Sequence, residues 1–106
     1  MHKFYTLWRE NGELVHKEIS GTPVDNHFGL ELSAYHSSET YDSGDKRWWY
    51  VVEESVGLAI GRGHTKAEAI NNALCAISSR GIENVRADIE KHIEIYGLTP
   101  DHCSVG

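Results

Sequence analysis

The residues best suited to bind a ligand lie in one stretch, residues 61 to 77, with the sequence GRGHTKAEAINNALCAI. Arg62, His64 and Lys66 bracket the start of a predicted helix there. The free amide groups and the dipole at the start of a helix attract anions. These three side chains therefore form a candidate site for a phosphate or a carboxylate.

A purely structural interpretation explains the same stretch. Thr65 and Glu68 form an S/T-x-x-E capping box, in which the hydroxyl accepts a hydrogen bond from the first turn and the glutamate reaches back to the cap. No Walker spacing follows. A turn followed by a capped helix accounts for every residue of the stretch. This structural interpretation is the alternative to anion binding.

The aromatic run RWWYVVEE, residues 47 to 54, is the second candidate. Because neighbouring residues of a strand face opposite sides, Trp48 and Tyr50 share one face while Trp49 lies on the other. The aromatic residues of one of these two faces must belong to the core. The other is exposed unless a helix, the N-terminal hairpin or a second copy covers it, which favours a protein contact or a homodimer. Stacking on nucleobases is a further alternative. We take Trp49, and Tyr35 on the preceding strand, as binding candidates.

Motifs for catalysis or metal binding are absent from the sequence. The seven histidines form no HExxH motif, there is no CxxC, and no G-x-S-x-G occurs. We expect both cysteines, Cys75 and Cys103, to be reduced. These observations predict no metal, no cofactor and no enzyme activity. An enzyme whose folded pocket gathers His36, His64 or Cys75 is the alternative.

A β-hairpin is the first element predicted to position these residues. Asn11-Gly12 suits a two-residue type I′ turn, which needs positive φ at both positions. If Glu10 faces Glu13, the register gathers the large apolar side chains on one face, pairing Trp8 with Val15, Thr6 with Lys17 and Phe4 with Ile19. Because proline cannot donate to a ladder, Gly21-Thr22-Pro23 predicts a loop that lasts to about His27.

Three more strands follow, at residues 28 to 35, 47 to 54 and 56 to 62. The second of them, apolar on both faces, is predicted to be central in the sheet. Residues 36 to 46 read as an exposed loop. In the third strand, Gly57, Ala59 and Gly61 present a face almost without side chains, which predicts that a helix or another backbone segment packs close.

Two helices complete the chain. The first begins at Thr65 and ends at Gly81, and the second begins near Glu83 or Asn84 and ends at Gly97. The apolar residues at helical spacing are Ala67, Ile70, Leu74 and Ile77 in the first helix, and Val85, Ile89, Ile93 and Tyr96 in the second. The sequence thus predicts one α+β domain over residues 1–106, with an antiparallel sheet of about five strands and two C-terminal helices on one face.

Residues 28 to 80 resemble the C-terminal two thirds of a double-stranded-RNA-binding domain. RWWYVVEE, GLAIGRGHT and KAEAINNALCAI stand where that family has a strand, a short strand with a glycine-spaced turn, and a helix of small residues. The resemblance implies binding of duplex RNA by its phosphates and 2′-hydroxyls, with Lys66 matching the family's lysine cluster and His36 in the first loop. The strand-turn-helix pattern is also similar to small antitoxins of the HicB type and to short phage-encoded α/β proteins.

Charge opposes that implication. Sixteen acidic against ten basic side chains give a net charge of -6, which disfavours nonspecific contact with nucleic acid or an acidic membrane. The sequence contains no signal peptide or membrane-length apolar run, so we expect a cytoplasmic protein without membrane contact. We predict a non-enzymatic protein-binding module, of the kind by which a phage or mobile element inhibits a host nucleic-acid-handling complex, as anti-CRISPR proteins do. The alternative is a nucleic-acid-binding domain of the double-stranded-RNA-binding type.

Overall fold

The computed structural model describes residues 2–37 and 48–100, which form an antiparallel sheet and two helices. The predicted α+β class is confirmed. The strands follow one another across the sheet in the order of the chain, and most of the predicted loop at 36 to 46 lies outside the described residues. The elements are β1 (His2–Glu10), β2 (Glu13–Val24), β3 (Leu32–His36), β4 (Trp49–Glu53), β5 (Leu58–Gly63), α1 (Lys66–Arg80) and α2 (Ile82–Tyr96).

The hairpin of β1 and β2 has the predicted register. Asn11 and Gly12 have φ values of 52° and 84°, as a type I′ turn requires. Glu10 lies opposite Glu13, and the pairing continues to His2 opposite Gly21. The dipeptide alone therefore determines which side chains share a face of this hairpin.

The predicted loop after Gly21 is wrong, because β2 continues to Val24 and pairs there with β3. Pro23 lies opposite Ser33 in that ladder. Pairing with β1 ends at Gly21, so β2 has a partner on one side only at Pro23. A proline is tolerated at such an edge position because its missing N–H removes no ladder bond.

Strand β3 is shorter than predicted and begins at Leu32. Before it, the side chain of Asn26 takes the place of a sheet partner. Its Oδ1 accepts hydrogen bonds from the amides of Phe28 and Leu30, and its Nδ2 donates to the carbonyls of Val24 and Leu30. Residues 28 to 31 consequently lie outside β3, even though Phe28 and Leu30 alternate as strand residues do.

The main core lies between the sheet and the two helices. Helix α1 buries Ala69, Ala73 and Ile77. The prediction that Ala67 belongs to the apolar stripe is wrong, because Ala67 is exposed. These α1 residues pack with buried side chains of the sheet, of the turn after β4 and of α2: Val24, Leu32, Ala34, Val51, Val56, Val85 and Ile89.

Close packing of α1 on β5 explains the glycines of that strand. A Cβ built on Gly61 would lie 2.6 Å from the backbone nitrogen of Ala73, and one built on Gly63 would lie 2.7 Å from that of Ala69. The predicted close packing is thus confirmed. Ala59, however, does not belong to that face. A bulge between Val51 and Val52 shifts the register, and Ala59 is exposed.

A second, smaller core lies on the helix-free face of the sheet and consists of Phe4, Ile19, Tyr35 and Val52. The hairpin covers these residues because the sheet curls, and the Leu7 amide donates to the Gly57 carbonyl at 3.0 Å. Strand β4 therefore has buried residues on both faces, as predicted, although the middle position of the sheet belongs to β3.

The helix ends follow their glycines. Gly81 and Gly97 have φ values of 90° and 80°, and their amides donate to the carbonyls of Ile77 and Ile93. Helix α2 begins at Ile82, one to two residues earlier than predicted. After α2, the Thr99 hydroxyl donates to the Glu54 carbonyl and fixes the following segment. Neither helix in the described ranges is long and apolar enough to cross a membrane.

Candidate functional site

The register of β4 and β5 places four side chains on the helix-free face. Tyr50 lies opposite Arg62, and Trp49 lies opposite Gly63. Extending this register by one residue puts Trp48 beside His64. Because alternate residues of a strand share a face, Trp48, Tyr50, Arg62 and His64 form one group. We call these four residues the aromatic–cation surface.

Trp48 contacts both Arg62 and His64 on this surface. The guanidinium carbon of Arg62 lies 4.7 Å from the centroid of the Trp48 ring, within the range of a cation–π interaction. The His64 ring is 4.3 Å from the Trp48 ring, with 38° between the planes. Trp48 and Tyr50 are half-buried, whereas Arg62 and His64 are exposed. The surface thus combines two aromatic rings with a cation open to solvent.

The second core holds the surface in place from below. Tyr50 stacks on Tyr35 with a centroid separation of 5.4 Å, and Tyr35 meets Phe4 edge-on at 6.2 Å. Tyr35 is only 4% exposed, so it belongs to the core and not to an accessible surface. An aromatic row therefore runs from the buried ring of Phe4 through Tyr35 to the half-buried ring of Tyr50.

A small open cavity adjoins the surface, with a volume of about 230 Å³. It is lined by Tyr50, Ala59, Ile60, Gly61 and Arg62. Ile60 is the extra residue of the bulge, since Val52 pairs with Ala59 and Val51 with Gly61. Bulges of this kind are frequent next to binding sites because they redirect side chains. An apolar group would therefore find room directly beside Arg62.

Other predicted binding residues lie elsewhere. Trp49 packs against the main core on the helix side, edge-on to His36 at 5.1 Å. Lys66 also lies on that side, where its Nζ donates to Thr22 Oγ1 at 3.2 Å. The structure thus brings Arg62 and His64 together and separates Lys66 and Trp49 from them. Strand parity would have grouped Trp48 with Tyr50, but the sequence could not show which of the two groups lies under the helices.

The start of α1 contains the predicted capping interactions. Thr65 Oγ1 accepts from the Glu68 amide at 3.1 Å, and the His64 amide donates to Glu68 Oε1 at 3.4 Å. The glutamate therefore reaches the residue before the cap and not the cap itself. An anion bound here would have to compete with the Glu68 carboxylate, which already occupies this end of the helix dipole.

Two buried carboxylates near the β4 end have structural partners. Glu53 Oε1 accepts hydrogen bonds from the amides of Ser55 and Val56 and so fixes the turn after β4. Glu54 accepts from Ser33 Oγ at 2.7 Å and contacts His2 Nε2 at 2.7 Å.

The Glu54 group contains a serine, a histidine and an acid, but not in the order that activates a nucleophile. In a hydrolytic triad the histidine must lie between the hydroxyl and the carboxylate. Here the carboxylate of Glu54 lies between Ser33 and His2, and Ser33 is fully buried. This arrangement can stabilise the fold, but it cannot deprotonate Ser33 through His2.

The three residues that an enzyme pocket was expected to gather lie apart from one another. His36 is on the helix side of the sheet, His64 is on the helix-free face, and Cys75 is exposed on α1. Across residues 2–37 and 48–100, no three His, Cys, Asp or Glu side chains are grouped as metal ligands. No known protein family, curated protein or solved structure matches the chain.

Proposed function

We propose that this chain is a non-enzymatic module that binds another protein through the aromatic–cation surface. The observation that carries the proposal is the grouping of Trp48, Tyr50 and Arg62 on one solvent-facing side of the sheet. Tryptophan, tyrosine and arginine are the residue types most enriched among the hot spots of protein interfaces. A surface that places all three on one face of the sheet, with Arg62 over the Trp48 ring, is suited to the centre of such an interface.

Rigidity supports the same proposal. Tyr50 is backed by the buried ring of Tyr35. Trp48 has Arg62 over its ring, and its backbone exchanges hydrogen bonds with Ser37. Side chains that already hold their binding geometry lose less rotamer entropy on association, so more of the contact energy appears as affinity. Tyr50 and Arg62 lie within β4 and β5, and sites on strands are positioned more accurately than sites on loops.

A narrower form of the proposal concerns the partner's identity. The net charge of -6 supports a partner with a basic, nucleic-acid-binding surface, because opposite charges steer association. In this form the chain is an inhibitor of a host nucleic-acid-handling complex, encoded by a phage or another mobile element. The purified partner would then lose its nucleic acid when this chain is added, and simultaneous binding of both would contradict the narrower form alone.

Affinity purification with matched variants tests the protein-binding proposal. The tagged chain is used to recover a partner from an extract of the cells in which this protein occurs. The affinity is then measured with the purified partner. Each of Trp48→Ala and Arg62→Ala is expected to cost about 2 kcal/mol or more, roughly 30-fold in Kd, as truncated hot spots do.

Lys91→Ala is the control, because it removes a cation from an exposed position on α2. Circular dichroism verifies that each variant folds. Equal partner affinity for the wild type, both surface variants and the control would contradict the proposal, since the surface would then lie outside the interface.

Duplex-RNA binding is the second candidate, favoured by the order β3, β4, β5, α1 and by Lys66 in the first turn of α1. Gel shifts with duplex RNA over a series of salt concentrations test it. Affinity that falls steeply with salt and weakens further in Lys66→Glu would favour RNA over protein as the ligand.

A further inference from the structure

We infer that the group recognised at the aromatic–cation surface is a carboxylate on an acidic side chain of the partner protein, bound by Arg62, with a neighbouring apolar side chain in the adjoining cavity. This inference rests on the proposed function and specifies what the surface binds. The donor is the Arg62 guanidinium of this chain, and the acceptor is a carboxylate of the partner.

The position of Arg62 leaves its hydrogen-bond donors available. The guanidinium carbon lies 4.7 Å from the centroid of the Trp48 ring. A cation–π contact uses none of the N–H donors as hydrogen bonds, and the planar fork of these donors matches both oxygens of a carboxylate. Within the described part of the chain, Arg62 makes no ion pair, and its side chain is exposed. A carboxylate from another protein would complete this arrangement.

The charges around the surface favour one carboxylate over a polyanion. Tight binding of nucleic acid requires many phosphate contacts, each with its own cation. The other basic residue of the same stretch, Lys66, is held on the opposite side of the sheet by Thr22. The chain as a whole carries a net charge of -6. A single acidic side chain needs only the local match with Arg62, and the rest of the partner surface can still be basic.

The cavity beside Arg62 specifies the second half of the recognised group. Tyr50, Ala59 and Ile60 supply most of its wall, and its volume is about 230 Å³. Because Arg62 lines the same cavity, an apolar side chain placed there lies close to the bound carboxylate. In an extended segment, residues two apart point to the same side. The partner sequence expected here is therefore an acidic residue two positions from an apolar one.

Nuclear magnetic resonance on the full ¹⁵N-labelled chain tests this inference with defined probes. The probes are the peptide acetyl-Ala-Leu-Ala-Glu-Ala-amide, the same peptide with Gln in place of Glu, and inorganic phosphate. We expect the Glu peptide to shift the Arg62 Nε–H and Trp48 Nε1–H signals saturably, with a Kd of about 1 mM. The Gln peptide is expected to bind at least tenfold more weakly.

Two variants sharpen the test. Arg62→Lys keeps the charge but loses the planar pair of donors. It is therefore expected to weaken binding of the Glu peptide about tenfold. Lys91→Ala, on the far side of the molecule, is expected to leave binding unchanged. Equal binding of both peptides, no saturable shift with the Glu peptide, or shifts caused by phosphate alone would each overturn the carboxylate assignment.

The failure of this inference is distinguishable from failure of the proposed function. If Trp48→Ala and Arg62→Ala weaken binding to the natural partner while the Glu and Gln peptides bind equally, the surface is an interface but does not select a carboxylate. If neither variant weakens the natural partner, the proposed function itself is wrong.

Discussion

Replacing Gly61 by alanine tests the close packing of α1 on β5. The new Cβ would lie 2.6 Å from the Ala73 nitrogen and 2.7 Å from its Cα and Cβ. Ordinary contact begins near 3.4 Å, so the helix must move away by about 0.8 Å, the difference between these distances. Ala69, Ala73 and Ile77 are fully buried and would lose contacts as α1 moves.

Overpacking of this kind costs about 1–3 kcal/mol. In a domain of this size, each kcal/mol lowers Tm by about 4–8 °C. Urea unfolding at equilibrium and calorimetry measure both quantities. Ala59→Ser, on the exposed side of the same strand, is the control and is expected to change stability by about 0.5 kcal/mol or less.

A double variant identifies the source of the clash. Two of the three close atoms belong to the backbone of Ala73, so removing its methyl group in Gly61→Ala, Ala73→Gly does not relieve them. We therefore expect no rescue, and a further loss of about 1 kcal/mol from glycine inside a helix. An unchanged midpoint for Gly61→Ala, or recovery in the double variant, would refute this account of the packing.

Further predictions concern the helices. Thr65→Ala removes the hydrogen bond between the capping hydroxyl and the Glu68 amide and should lower the free energy of unfolding in urea by about 1 kcal/mol. Thr65→Ser keeps a capping hydroxyl and should retain most of that stability. Ile77→Ala leaves a cavity in the main core and should cost about 2–5 kcal/mol; a smaller loss would place Ile77 outside that core. Hydrogen bonding from Arg80 lowers the pKa of Asp88 below its ordinary value of 3.8, so Arg80→Gln should raise it in a carboxyl NMR titration. Stability from this pair is present above the ordinary carboxyl pKa and is lost as pH falls through the lowered value; an unchanged Asp88 titration would exclude the pair in solution.

The elements that the sequence predicted accurately depend on short-range chemistry. Asn11-Gly12 sets the hairpin register because only a few residues accept positive φ at two successive positions. Thr65, Gly81 and Gly97 mark helix ends for similarly local reasons, through a side-chain cap or a left-handed φ. No distant part of the chain has to be known for these predictions.

The predictions that were wrong depend on interactions that hydrophobic alternation does not reveal. The Asn26 side chain binds the amides of Phe28 and Leu30, two and four residues further on, and so keeps this alternating segment out of the strand. The bulge at Ile60 moves Ala59 to the other face, and hydrophobic alternation carries no signal of that shift. For the candidate site, Arg62 and His64 were recognisable from composition and spacing. Their grouping with Trp48 required knowledge of which face α1 covers.

The order of the strands has a consequence for folding during synthesis. Each strand pairs with the one made just before it, so only short loops must close and the entropic cost of each step is small. Contacts between neighbours in sequence favour rapid folding. The Thr6 hydroxyl, by contrast, donates to the carbonyl of Gly57, 51 residues away. The hairpin can therefore form early on the ribosome, but it must wait for the second half of the chain before its buried face is covered.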